Sequence, residues 1–189
     1  MAVRKILKYP ADDAKLRRKS AEVKRLDAET KALIDDLKDT LAAETGAGLA
    51  TPQIGVLKRV ALVCFGQDAG EIQPPLVLIN PIILETGPLR TGFDGCLSMP
   101  GLATWDTLRP SWLTFRARGE DWKKIEMRVE GIDARVVQHE VDHLNGILYL
   151  DRLAKGGKMF VVEIDDEGKE HFIELGAHVQ GTQVPQVSN

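Results

Sequence analysis

What this chain has little of narrows its nature before any motif is read. No apolar run approaches the roughly 18 residues that a membrane-spanning helix needs, so no contact with a membrane core is expected. Cysteine is scarce. Cys64 and Cys96 are the only two, too few for a disulfide framework and in keeping with a reducing compartment. The charge balance is nearly even, 25 basic against 28 acidic side chains for a net −3, which removes the global electrostatic case for DNA or an anionic membrane surface. The segment from Met1 to Pro10 carries charges but no apolar core, unlike a secretory signal. A cytoplasmic location is the expectation these absences leave. There are no repeats and no low-complexity linker, and 189 residues with 43% hydrophobic content suffice for one domain with a real core. That domain is expected over residues 1–176, with a flexible tail over 177–189 where periodicity is lost.

Histidine is also scarce, at four residues, yet two of them fall within five positions: His139-Glu140-Val141-Asp142-His143. The stretch Ile132 to Asn145, bounded by Gly131 and Gly146, reads as a helix. A 3.6-residue period then places His139 and His143 on one face, able to share a metal ion, with Glu140 beside them as a base that is not itself a ligand. A metal-dependent hydrolase is the leading reading. A helix with two surface histidines is the bland alternative.

Such a metal usually takes three protein ligands and leaves one position open. Extension of the motif by a further histidine fails, because the required position is Tyr149. A downstream glutamate is available in Glu163, but it sits in a β-branched run after Gly156-Gly157 rather than on a helix, and reads more readily as a solvated strand residue. Upstream, Cys96 lies in Asp94-Gly-Cys-Leu-Ser-Met-Pro-Gly101, where Gly95 and Pro100-Gly101 allow a tight turn that aims the sulfur, so the context favours a ligand. Cys64, inside an apolar strand, reads as a small core residue.

The rest of the chain gives an α+β pattern. Asp27 can cap a helix whose Leu33, Ile34, Leu37 and Leu41 recur on one face, with Gly46 or Gly48 as its stop. Val60–Cys64 and Leu76–Ile79 read as buried strands. Trp112–Arg118 and Trp122–Val129 read as a hairpin, and Met159–Ile164 with His171–Leu175 as another about a turn at Asp165–Gly168. The expected architecture is antiparallel or mixed β-sheets packed around a central helix carrying the His-Glu motif, with an N-terminal helix. Residues 2–26 hold nine Lys/Arg against three acids and read as a solvated arm. Trp105, Trp112 and Trp122 read as core. Ile132 and Val136 precede His139 on its own face and could line a pocket or simply fill the core. Gln138 reads as a partner of the metal ligands or as polar helix surface.

Three segments in order, Gly46-Ala-Gly-Leu-Ala-Thr-Pro-Gln-Ile-Gly55, Asp94-Gly-Cys-Leu-Ser98 and Gln138-His-Glu-Val-Asp-His-Leu-Asn-Gly146, resemble the motifs of the peptide deformylases, and the similarity runs from about Ile6 to Leu153. The resemblance implies that Cys96, His139 and His143 bind one divalent ion, Fe²⁺ first, with Zn²⁺, Ni²⁺ or Co²⁺ also able to occupy the site. It implies that Glu140 is the general base and that the Gln53 side-chain amide and the Leu97 backbone N–H stabilise the oxyanion. Gly48 would admit the substrate backbone, and Ile132 and Val136 would line the methionine pocket. The implied reaction releases formate from N-formyl-methionyl polypeptides, nascent or newly released. Proximity to the ribosome is compatible with this, although residues 155–175, with six acids and three lysines, do not form the basic docking helix that some members carry.

Three positions depart from the family pattern. Thr51 replaces an alanine, Met99 a common valine, and Asp94 a glutamate that in the family pairs with an arginine, here Arg109. The shorter Asp94 is expected to loosen that pair or draw the loop inward. These departures keep open a diverged metallo-amidase of the same fold acting on another N-acyl substrate. A non-catalytic metal-binding protein is disfavoured by Glu140, since a structural site has no use for a base.

Overall fold

The computed structural model describes residues 2–66 and 70–176, and the tail expected over 177–189 lies outside the described residues. In chain order the helices are α1 (Asp13–Leu16), α2 (Ala28–Ala42) and α3 (Gly131–Leu144). The strands are β1 (Gly48–Ala50), β2 (Val60–Val63), β3 (Leu76–Thr86), β4 (Leu89–Arg90), β5 (Asp94–Cys96), β6 (Met99–Thr104), β7 (Arg109–Pro110), β8 (Trp112–Arg118), β9 (Lys124–Glu130), β10 (Phe160–Ile164) and β11 (Glu170–Glu174). The class is α+β, as expected. Every pair of named strands is antiparallel, so the mixed option falls away.

The larger sheet runs β1-β2-β3-β8-β9 and is covered on both faces. Alternation along β2 explains this: Val60, Leu62 and Cys64 join the cluster built on α2, while Val63 and the adjoining Phe65 join the one built on α3. Asp27 caps α2 by accepting from the Thr30 N–H at 2.9 Å, and Leu33, Ile34, Leu37 and Leu41 turn inward. Full burial of one such side chain is worth about 1.5–3 kcal/mol. The helix stops at Ala42, ahead of the glycines expected to end it. The Ala43 and Glu44 N–H groups bond back to the Thr40 and Leu41 carbonyls, a tightened last turn that needs no left-handed residue.

The second sheet, β11-β10-β6-β5, places the strand bearing Cys96 at one edge and the C-terminal hairpin at the other. The hairpin has the expected turn, with Gly168 at φ 79°. In the other expected hairpin the second strand starts at Lys124, because Trp122 takes φ 65° and belongs to the turn.

The basic N-terminal segment is a strap, not a solvated arm. Ile6, Leu16 and Val23 are buried, and its backbone is bonded to the body: Leu7 N–H to the Gln53 carbonyl, Tyr9 N–H to Ser98, Ser20 N–H to Leu144. The nine basic residues obscured three apolar anchors that are too widely spaced to form a helical or strand period. Trp105 is likewise not core. It is 40% exposed and packs edge-to-face against Phe93, Phe160 and Phe172. Trp112 lies half-buried beneath the Arg128 guanidinium at 3.8 Å, and Trp122 is half-buried against the α2 cluster.

Candidate metal centre

Helix α3 is the central element, packed on β1 and β2 and buried along most of its length. Ala134, Val136, Val137, Val141 and Leu144 supply the apolar contacts, and the remaining buried positions are polar: Gln138, His139, Glu140, Asp142 and His143. His139 and His143 lie one turn apart with their Nε2 atoms 3.2 Å from each other, and Cys96 Sγ lies 3.2 Å from His143 Nε2. All three donor atoms fall within 4.8 Å of one another. Glu163, the competing ligand position, is exposed in β10 and is not among them. Tyr149, which fails as a ligand, stacks on His139 at 6.2 Å and donates its hydroxyl to the Leu102 carbonyl.

A chain of buried charges holds these donors. Asp94 Oδ1 lies 2.7 Å from His139 Nδ1, which leaves Nε2 as the nitrogen facing the other two donors. Asp94 Oδ2 accepts from Arg109 Nε at 2.6 Å and from the Thr107 hydroxyl at 3.1 Å. Arg109, fully buried, donates onward to Asp142 at 2.8 Å, and Arg152 closes the chain on Asp142 at 2.6 Å. The Asp94–Arg109 pair is therefore made and is short. The loosening expected from the lost methylene does not occur, because the carboxylate bridges His139 and Arg109 directly. Burial works against a charged Asp94, but His139 and Arg109 outweigh it and hold the carboxyl well below its usual range. Burial, reinforced by the neighbouring positive groups, pushes His143 well below the usual imidazole value and keeps its ring neutral.

The thiol side is equally constrained. Gln53 Nε2 lies 3.6 Å from Cys96 Sγ and donates to the Ser98 hydroxyl at 3.2 Å, while its Oε1 accepts from the Ala50 N–H at 2.8 Å. The Ser98 N–H also points at the sulfur, at 3.4 Å. Thr51 donates its buried hydroxyl to the Lys58 carbonyl, away from the donor atoms, whereas Met99 packs with Leu16, Leu102 and Tyr149 directly opposite Cys96 in the β5–β6 ladder.

Glu140 completes the centre. It is 3% exposed, and burial raises its pKa to about 7. Its Oε2 and the Nδ1 of His143 have no hydrogen-bond partner among the described residues. One cysteine sulfur and two imidazole nitrogens beside a buried carboxyl with a free oxygen suit a divalent cation with one coordination position left open, and the residues fit that group. Gly48 stands against this carboxyl: a Cβ there would come 2.5 Å from Glu140 Oε1. The first demand for glycine at this position thus comes from Glu140, ahead of any substrate backbone.

One cavity of about 640 Å³ takes in Gly48, Gln53, Cys96, Leu97, Ile132, Val136, His139 and Glu140, and the buried His143, outside that lining, joins them through its contacts with Cys96 and His139. Every expected site residue is thereby brought together, and Ile132 and Val136 line the pocket. Gln138 fits neither of its expected readings: it is buried, and its Oε1 has no partner among the described residues. Sequence reasoning missed Asp142, although its place inside the His-Glu motif was a usable signal. It also missed Arg135, which ties the Arg90, Gly92 and Phe93 carbonyls to α3 and fixes the approach to β5. Nothing local in sequence marks that role.

Comparison with known proteins finds one family along most of the chain. Residues 3–159 match the family model described as polypeptide deformylase. A peptide deformylase from Clostridium botulinum is 42% identical over 155 residues, covering 82% of this chain and 99% of its own, and peptide deformylase 1 of Bacillus subtilis is 41% identical over 82% and 92%. Among solved structures, the Thermotoga maritima peptide deformylase aligns with TM-score 0.73 and 31% identity over 82% of this chain and 99% of its own. The Synechococcus elongatus enzyme in complex with actinonin aligns with TM-score 0.70 and 35% identity over 79% and 78%.

Proposed function

The chain belongs to the polypeptide deformylase family of metal-dependent enzymes, and we propose that it removes the formyl group from N-formyl-methionyl polypeptides with Glu140 as base and Cys96, His139 and His143 as metal ligands. The observation that carries this is the convergence of one sulfur and two Nε2 atoms beside a buried carboxyl whose Oε2 has no partner among the described residues. The ion, when bound, supplies a Lewis acid that polarises the formyl carbonyl and makes water a nucleophile near neutral pH. We assign Fe²⁺ as resident ion, with Zn²⁺, Ni²⁺ and Co²⁺ as alternatives that mixed thiolate and imidazole donors also accept.

The chain's own groups do the rest. Glu140 takes a proton from the attacking water and returns one to the departing amine of the methionine. The Gln53 amide, fixed at its oxygen by the Ala50 N–H, and the Leu97 backbone N–H donate to the oxyanion. Loss of one such donor typically lowers the rate about 10²–10³-fold. Ile132 and Val136 hold the methionine side chain against the wall of α3, and the products are formate and a free amino terminus. The pairing of Asp94 with Arg109 removes a main ground for the diverged-amidase reading.

Residues 1–176 act as one catalytic domain in this reading, working on nascent or newly released chains in the cytoplasm. None of the helices among the described residues is long and apolar enough to cross a membrane. The acidic β10–β11 hairpin does not serve as a ribosome-docking element in this reading, and no role for DNA is assigned. The test is anaerobic measurement of formate release from formyl-Met-Ala-Ser by metal-loaded protein and by Glu140→Ala. Release by the first and not the second is expected. Absence of release by the first would sink the activity, and survival in the second would sink the mechanism. Metal analysis of Cys96→Ala checks the ligands: retention of one equivalent would point away from Cys96.

A further inference from the structure

The hairpin β10–β11 begins where the family match ends, at Met159. It is not a detached appendage. Phe160 and Val161 pair with Ala103 and Leu102 of β6, and β6 pairs with the strand that carries Cys96, so the hairpin continues the metal-side sheet. Val162, Ile164, Glu170 and Phe172 line the same cavity as His139 and Glu140. Phe172 packs edge-to-face on Trp105 with ring centroids 4.6 Å apart, and Trp105 packs likewise on Phe93 at 5.4 Å. Yet the cluster stays open: Ile164 is 69% exposed, Phe93 44% and Phe172 37%. A contiguous apolar patch joined to a reaction cavity is a binding surface.

Resting on the deformylase reading, we propose that this hairpin, with Phe93 and Trp105, is a specificity wall for the residues that follow the formyl-methionine. The occupant is committed by continuity: the cavity that holds the reacting groups opens onto the hairpin, and only the downstream peptide is covalently tied to the reacting end. The wall favours large apolar side chains through Phe172 and Ile164. Glu170 in the same lining opposes acidic ones, since like charges brought together out of water repel. An apolar pocket discriminates by about 10–200-fold for small differences in side chain, which sets the scale of the effect.

The experiment compares formyl-Met-Ala-Ala, formyl-Met-Phe-Phe and formyl-Met-Glu-Glu with the metal-loaded protein. Expected is a kcat/KM for the Phe-Phe peptide about tenfold or more above that for Glu-Glu. Phe172→Ala should remove most of this ratio through KM, leave kcat and the Ala-Ala peptide unchanged, and be rescued by Phe172→Leu. Calorimetric binding of the product peptide Met-Phe-Phe gives a second readout that needs no turnover, and Phe172→Ala should weaken it. A ratio near one in the native protein, or a ratio that survives Phe172→Ala, overturns the wall. If no peptide yields formate, it is the deformylase reading that has failed, and the calorimetry alone then decides whether the hairpin binds apolar peptides.

Discussion

Helices α2 and α3 cover opposite faces of one sheet, yet they bury opposite chemistries. The inward face of α2 is built on Leu33, Ile34, Leu37 and Leu41, with the uncharged Thr30 and Thr40 toward its ends. That of α3 includes His139, Glu140, Asp142 and His143. Apolar burial stabilises roughly in proportion to area, whereas a buried carboxyl without a partner is a net cost. The first helix therefore contributes stability. The second spends part of it to hold reactive groups dry and fixed. Substitution on each helix should separate the two currencies. Glu140→Ala is expected to lower kcat about 10²–10⁴-fold with thermal stability unchanged or raised, because Glu140 Oε2 has no hydrogen-bond partner among the described residues. Leu37→Ala, at a fully buried position, is expected to cost about 2–5 kcal/mol of stability with kcat per folded molecule retained. A Glu140→Ala variant that melted as early as Leu37→Ala would erase the contrast.

A finer break lies within α3, at the link between its ligands and the charge chain behind them. Asp94→Asn keeps a hydrogen-bond acceptor near His139 but removes the charge that orients it and pairs with Arg109. Metal affinity is expected to fall about 10–100-fold, read by competition with a chelator while circular dichroism reports the fold. Arg109 keeps Asp142 as a partner, so the fold should survive. Unchanged affinity would mean that the chain of charges holds the loop and not the ligand.

How much of this was legible depended on whether the signal was local. The α2 face, the α3 motif and the C-terminal hairpin follow from period, caps and turn residues within a dozen positions. Cys96 needed the tight turn around it, and its neighbours Gln53 and Leu97 needed the family resemblance. The strap was misread because Ile6, Leu16 and Val23 are anchored one at a time, among nine basic side chains, to partners far along the chain. Trp105 was misread for a related reason. Its three aromatic partners come from Phe93, Phe160 and Phe172, which only the sheet brings together. Arg135 and the length of the Asp94 link are matters of three-dimensional distance, which one sequence does not encode in any window.

The smallest expected effect tests whether the departures from the family pattern matter to the contrast at all. Thr51 sits in the 3-10 turn Thr51–Ile54 that also positions Gln53, and its hydroxyl donates to the Lys58 carbonyl at the entrance to β2. That bond fastens the turn to the α2 side of the molecule, away from the donor atoms. A typical hydrogen bond contributes about 0.5–1.5 kcal/mol net, and Lys58 is only half-buried, so its carbonyl can turn to water when the hydroxyl is lost. Thr51→Ala should therefore lower stability by an amount at the small end of that range and leave kcat/KM on formyl-Met-Ala-Ser unchanged. A drop in kcat/KM without a drop in melting temperature would show that Thr51 acts through Gln53 on the reacting centre. The line between a stabilising helix and a chemical one would then have to be redrawn to run through this turn.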